Sequence, residues 1–186
     1  MASAHGNLDW VPAGERLDLL AGPVAAALTL VPDARVAPID AALADTAAFC
    51  AAYDVAPEAS ANCVVVEARR GEVTTLAAVM VLATDRADIN RVVRKHLGAR
   101  KISFADQAVA ESLTGMQQGG ITPVGLPEDW PVLVDAGVVA AGPVVIGAGV
   151  RGAKLLLDGA SLAVLPNAEV VRLAVPAPAP VVDPAG

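Results

Sequence analysis

Apolar and polar positions along this chain fall into short blocks, and the breaks between blocks mark its elements. Residues 15–30 carry an apolar run broken at Gly22-Pro23, which predicts an interrupted helix, and Ala34–Ile39 predicts a short strand. Asp45 stands at the capping position of a helix running from Thr46 to about Tyr53. After the Pro-containing link Ala56–Ser60, the β-branched run Cys63–Glu67 predicts a buried strand. Arg69-Arg70-Gly71-Glu72 then reads as a hairpin turn and Val73–Leu82 as the returning strand. Asp85 and Asp88 open a predicted helix over Ala87–Leu97, which Gly98 stops. Lys101–Phe104 predicts a strand, Asp106 caps a helix through Leu113, and a glycine-rich loop, Gly115–Gly125, follows. Pro131–Asp135, Pro143–Ile146 and Lys154–Leu157 read as strands, Ser161–Leu165 as a short helix, and Ala168–Ala174 as a last strand. The proline-rich tail Val175–Gly186 is expected to be disordered. Hairpins mixed with single strands between helices predict an α+β fold, not a regular βαβ alternation.

Composition narrows the class. The 186 residues make room for one domain, and 55% of them are apolar, so a sizeable core is available. Aromatics are only 3%, which argues for an aliphatic core and against a surface that stacks RNA bases. The longest apolar stretches, Leu19–Pro32 and Ala136–Val150, are short and broken by Gly and Pro, so neither is expected to cross a membrane. The acidic amino terminus is unlike a signal peptide, and a cytoplasmic location is expected. Two cysteines, Cys50 and Cys63, and two histidines are too few and too scattered for a zinc site, so no metal or cofactor is expected.

Charge changes the picture in one place. The net charge of −7 disfavours non-specific DNA binding, yet Arg86–Lys101 holds six of the thirteen bases against the single acid Asp88. A solvated helix face is the plain reading of that cluster, and a phosphate-binding face is the functional one.

Two glycine patterns carry candidate chemistry. Val144-Val-Ile-Gly147-Ala-Gly149-Val-Arg-Gly152 is a strand followed by GxGxxG, the pattern of a dinucleotide site. Too little chain lies between Gly152 and the Asp158-Gly159 turn for the helix such a site requires. Close backbone packing beside a cleft explains these glycines better than a nicotinamide site. Leu113-Thr-Gly-Met-Gln-Gln-Gly-Gly-Ile-Thr-Pro-Val-Gly125 lacks the Lys-Ser or Lys-Thr of a phosphate loop. Its glycines suit a backbone that offers N–H groups to a carbonyl or carboxyl oxygen. Cys63 is a weak candidate nucleophile, because neither His5 nor His96 is placed by sequence to act as its base.

Thr114-Gly115 followed by Gly119-Gly120-Ile121-Thr122-Pro123-Val124-Gly125 resembles the signature loop of the YbaK/prolyl-tRNA-synthetase-associated family of aminoacyl-tRNA deacylases. The order of Asp88–Val93, Leu97–Lys101, Asp106 to Gly115, and Val145–Gly152 is similar to that family too, and the likeness runs from about Thr46 to Ala174. The resemblance implies one domain over residues 1–174, divergent in 1–44, with a central, mostly antiparallel curved sheet flanked by helices. It implies hydrolysis in trans of the ester of a small mischarged amino acid on tRNA, with no metal and no covalent side-chain nucleophile. Expected partners are aminoacyl-tRNA and an aminoacyl-tRNA synthetase.

By the same resemblance, Gly119, Gly120 and Ile121 supply backbone donors. Thr114, Gly115, Thr122, Pro123, Gly147 and Gly149 shape the substrate pocket, and Asn62 orients the substrate. In the functional reading of the basic cluster, Arg91, Arg94 and Lys95 face tRNA phosphates. One position departs from the pattern. Ala61-Asn62-Cys63 has asparagine where the family has a lysine, and a neutral amide there gives up a charge-assisted contact. Gly147 likewise stands where the family often has serine. The alternative expectation is therefore a module that binds tRNA or an aminoacyl ligand without turnover.

Overall fold

The computed structural model describes residues 2–176. Among them are eleven strands: β1 (Val11–Pro12), β2 (Arg35–Pro38), β3 (Ala61–Arg70), β4 (Val73–Leu82), β5 (Asp85–Ala87), β6 (Lys101–Phe104), β7 (Val132–Asp135), β8 (Pro143–Gly147), β9 (Ala153–Asp158), β10 (Ala168–Val171) and β11 (Ala174–Pro176). They form a four-stranded sheet β1-β2-β9-β8, a five-stranded sheet β10-β7-β4-β3-β6 and the pair β11-β5. The first sheet is antiparallel throughout, while β7 runs parallel to both its neighbours in the second. The helices are α1 (Gly22–Ala26), α2 (Thr46–Tyr53), α3 (Arg94–His96), α4 (Gln107–Thr114) and α5 (Ala136–Ala140). The fold is α+β, and the expected central sheet is two sheets that meet at one bridge, Ser60 to Val145.

The alternation of strand side chains sorts the core. On β4, Ala78 and Met80 enter the main core, while Ala77, Val79 and Val81 turn to a second one with Val66, Ile89 and Leu133. On β8 and β9, Val144, Ile146, Ala153, Leu155 and Leu157 face the main core. Val145 and Leu156 point the other way, to a third cluster with Trp10, Phe49 and Cys50 under α2. Both central sheets are thus covered on two faces, which is why these strands read as continuous apolar runs.

Local chemistry sets the boundaries. The β3–β4 hairpin turns at Gly71, whose φ of +62° is the left-handed region, and pairs in register from Ala61↔Leu82 to Arg70↔Val73. Asp106 accepts the Val109 amide at the start of α4, and Gly115, at φ +66°, closes its end. Asp45 precedes α2 as expected, although its side chain makes no capping bond.

Four expectations are corrected. Residues 15–30 hold 3-10 turns and the five-residue α1, because Pro23 begins a helix instead of interrupting one. The predicted helix over 87–97 is a strand, β5, then a π turn, Ile89–Val93, that passes into α3. The π turn arises as the Val93 amide reaches back to the Asp88 carbonyl. The run read as one strand to Ala174 breaks after β10, and the chain then forms β11 with Val175 opposite Arg86. Buried Asp135 fixes that break, accepting the amides of Gly137, Leu173 and Ala174. So the tail expected to begin at Val175 is strand through Pro176, and its remainder lies outside the described residues. GxGxxG at 147–152 is the tight link of the antiparallel β8–β9 hairpin, with no helix after it.

Candidate functional site

Where β3 and β8 converge at the Ser60–Val145 bridge, a cleft of about 910 Å³ opens. Its floor is Ser60–Val64 with Val145–Gly147. One wall is Ala44–Thr46 with Gln118, Gly119 and Ile121, and the other is Asp85–Arg91 with Phe104 and Val175.

The glycines explain how a loop comes to lie directly on a strand. A Cβ at Gly147 would run into the carbonyls of Gly120 and Ile121, and one at Gly120 would run into the backbone of Val150. With both side chains absent, residues 119–121 rest on the end of β8. Further bonds hold the loop there. Gln117 donates its amide to the Gly149 carbonyl at 2.9 Å, and Gly149 donates to the Gly120 carbonyl at 2.7 Å. Glu111 accepts the Gln118 amide at 2.8 Å. The Arg151 amide donates to Gln117 Oε1 at 3.0 Å and its guanidinium to the Gln118 carbonyl at 3.2 Å.

Of the three expected backbone donors, Gly120 is corrected. Its amide donates to the Gln117 carbonyl at 2.9 Å and is already committed. The amides of Gly119 and Ile121, two residues that line the cleft, have no acceptor among the described residues. Asn62 lines the cleft, and its Oδ1 accepts a short hydrogen bond from Thr46 Oγ1, which ties β3 to the start of α2. Gly147 lines it too.

Thr114, Gly115, Thr122, Pro123 and Gly149 do not line the cleft. Thr114 is buried and donates to the Ala110 carbonyl while accepting the Met116 amide, so it shapes the turn. Gly149, at φ +81°, leaves space that Ala21 and Val24 fill. Thr122 is fully buried, and its hydroxyl has no partner among the described residues.

The three predicted phosphate-binding residues separate. Arg91 lines the cleft with its side chain 87% exposed. Arg94 lines a neighbouring groove of about 600 Å³, with Arg69, Arg100 and Lys101, that shares Asn90 with the cleft. Lys95 lines neither. The π turn breaks the i, i+4 spacing that would place Arg91 and Lys95 on one face.

Sequence reasoning missed Lys154. It is the one buried cation among the described residues, 6% exposed, and it lines the cleft. Its Nζ donates to the Ala44 carbonyl at 2.9 Å and the Gly119 carbonyl at 3.4 Å, and sits 5.2 Å from the centre of the Phe49 ring. Burial pulls its pKa down to about 8, against a counter-pull from the neighbouring Asp45. The signal was a lysine inside a strand otherwise apolar on both faces.

The thiols are unsuited to attack. Burial pushes Cys63 up to about 12 and Cys50 upward as well, and thiolate is the reactive form. No three His, Cys, Asp or Glu side chains gather as a metal site among the described residues. No helix among them is long and apolar enough to cross a membrane. What the cleft offers is a floor of small and aliphatic residues, two amides without an acceptor among the described residues, an amide side chain and a buried ammonium.

Known structures share this fold. A candidate trans-editing enzyme for prolyl-tRNA synthetase superposes with a TM-score of 0.69 at 20% identity, over 89% of this chain and 98% of its own. A hypothetical protein, APE2540, superposes with a TM-score of 0.64 at 22% identity, over 74% of this chain and 86% of its own. A signal-transduction candidate from Marinobacter aquaeolei gives 0.52 at 15% identity, where this chain spans 31% of that protein. The family model for the aminoacyl-tRNA editing domain matches residues 40–165, a span that holds the loop, the β8–β9 hairpin and every cleft residue but Val175. By that match the chain belongs to the aminoacyl-tRNA editing domain family.

Proposed function

We propose that this protein hydrolyses the ester of a small amino acid wrongly attached to tRNA, acting on the released aminoacyl-tRNA. The observation that carries the reading is the pair of uncommitted amides, Gly119 and Ile121, on a glycine-seated loop at the cleft. Such donors stabilise the oxyanion that forms when an acyl carbon becomes tetrahedral. In this reaction water attacks the ester carbonyl carbon, and the bond from that carbon to the terminal ribose oxygen breaks. The proton lost by the water ends on that ribose oxygen, leaving a free amino acid and a ribose hydroxyl. No side chain becomes acylated, in keeping with thiols held in their protonated form.

Ala44, Ala61 and Gly147 around the cleft support a small acyl group. Arg86 and Arg91 on the far wall suit the phosphates at the tRNA 3′ end. Asn62, held by Thr46, orients the substrate as a neutral donor through its amide nitrogen, which has no acceptor among the described residues. The likeness to a candidate trans-editing enzyme fits action apart from a synthetase, with a synthetase as transient partner.

A deacylation panel over correctly and wrongly charged tRNAs tests the reading. Ester loss well above the spontaneous rate for at least one small mischarged amino acid is expected. Binding without turnover across the panel would favour instead a ligand-binding module, the role to which a neutral Asn62 points.

A further inference from the structure

Lys154 is the least expected group in the cleft. It stands in β9 on the face of Leu156, where its cross-strand neighbours are Gly147 on β8 and Ala37 on β2. Two small neighbours leave a channel for the four-carbon stem, so the ammonium travels under α2 to the back of the loop. An unpaired ammonium in such a place is costly, and the structure answers with two carbonyls and the face of Phe49. The charged groups around it are Asp45, just before α2, and Arg151 from the β8–β9 link, with the protonated thiol of Cys50 on α2 as a further titratable neighbour.

The bond to Gly119 acts at the centre of what the loop can present. The peptide between Gly119 and Gly120 is planar, so its two ends cannot turn independently. Lys154 holds its oxygen and the Gln117 carbonyl holds its N–H, from opposite sides. The planes on either side, which carry the Gly119 and Ile121 N–H groups, are held by Arg151 on the Gln118 carbonyl and by the Gly149 amide on the Gly120 carbonyl. Lys154 thus fixes the middle of three consecutive held peptides and limits the glycine dihedrals that join them. The second bond, to Ala44, ties the same ammonium to the residue just before Asp45 and Thr46. One side chain thereby registers the loop against the start of α2, from which Thr46 reaches Asn62.

We propose that Lys154 is a positioning residue of the hydrolytic site, its ammonium holding the Gly119 carbonyl inward so that the Gly119 and Ile121 amides face the substrate carbonyl. The inference deepens the deacylase reading and rests on it for the reaction, though not for the geometry. A positioned ammonium also has one N–H beyond the two already used, at a cleft-lining residue.

The test has two arms, one of which needs no activity. In the first, single-turnover deacylation of the best mischarged tRNA is followed from pH 6.5 to 9.5 with wild type, Lys154→Met and Lys154→Arg. Loss of the bond should lower the single-turnover rate about a hundredfold in Lys154→Met, the scale of an ångström of misplacement. Apparent substrate affinity should change less than threefold, and Lys154→Arg should recover part of the rate. The enzymatic rate of wild type, with spontaneous hydrolysis subtracted, should fall as pH rises through about 8, where the ammonium is lost, and this inflection should be absent from Lys154→Met. A Lys154→Met rate and pH profile equal to wild type would overturn the proposal.

The second arm is a titration of wild-type protein by NMR, reading the Lys154 side-chain carbon and the backbone amides of Gly119, Gly120 and Ile121. All four signals should move with one midpoint near pH 8. A lysine that titrates while the three amides stay still would overturn the proposal even if no tRNA is hydrolysed. Shared movement in a protein inactive on every ester would leave the geometry standing and remove the deacylase reading alone.

Discussion

The two walls of the cleft are built on opposite terms. The loop wall, residues 117–121, is seated on β8 without side chains between and is fastened by Glu111, Gly149, Arg151 and Lys154. The facing wall, Asp85–Arg91, is a three-residue strand and a π turn, held at its far end by β11. Its cations reach into water, and Arg91 makes only a loose contact of 3.9 Å with Asp88. The difference separates two tasks. A donor that must meet a developing oxyanion has to be fixed before the reaction, whereas a contact to phosphate works through charge and tolerates movement.

The largest effect should follow from disturbing the seat of the loop. Gly147→Ala or Gly120→Ala forces a methyl group into backbone atoms, at a cost of about 1–3 kcal/mol or more by urea unfolding, with deacylation falling about a hundredfold. Arg91→Ala on the facing wall should change stability by no more than about 0.5 kcal/mol. Equal losses on both walls would erase the distinction.

A second effect comes from the buried ammonium. The folded state holds the Lys154 proton less tightly than the unfolded chain, with a pKa of about 8 against 10.5. Its destabilising contribution is therefore present in full below pH 8 and is relieved as pH rises from 8 to 10.5, by up to about 3 kcal/mol. Unfolding of wild type against Lys154→Met across that interval reads the difference. A constant gap between the two would mean the ammonium is not buried at this cost.

What the sequence disclosed divides along a similar line. Features set by neighbouring residues were legible: the β3–β4 hairpin from its β-branched runs around Gly71, α2 behind Asp45, and α4 between Asp106 and Gly115. Features set by distant partners were not. β5 exists because residues 174–176 return to pair with it, and the π turn that follows displaced a plain helix. That Asn62, Gly119, Ile121 and Gly147 come together at one cleft was legible because the loop and strand patterns point at one another. The commitment of the Gly120 amide to Gln117 was not, because a glycine's sequence says nothing about where its N–H turns. Lys154 has no motif at all. Its role comes from the fold's bringing β9 under α2.

Smaller effects test the polar contacts. Asn62→Ala should lower deacylation severalfold by releasing Thr46, and Asn62→Lys should raise tRNA affinity by adding a charge at the cleft floor. Unchanged activity in Asn62→Ala together with loss in Asn62→Lys would place this residue outside the site. Smallest of all, Arg91→Ala and Arg94→Ala should each reduce the salt slope of tRNA binding by about one, and Lys95→Ala by less. Equal slopes in all three would return the segment to a solvated face.

The most direct measurement replaces single backbone amides by esters, which removes an N–H and leaves every side chain in place. With the residue at 121 introduced as its α-hydroxy acid, deacylation should fall about a hundredfold, and the same change at 119 should fall comparably. At position 120, where the N–H already serves Gln117, the change should register first as lost stability, on the order of 1 kcal/mol. Full activity with esters at both 119 and 121 would contradict the claim that these two amides carry the reaction.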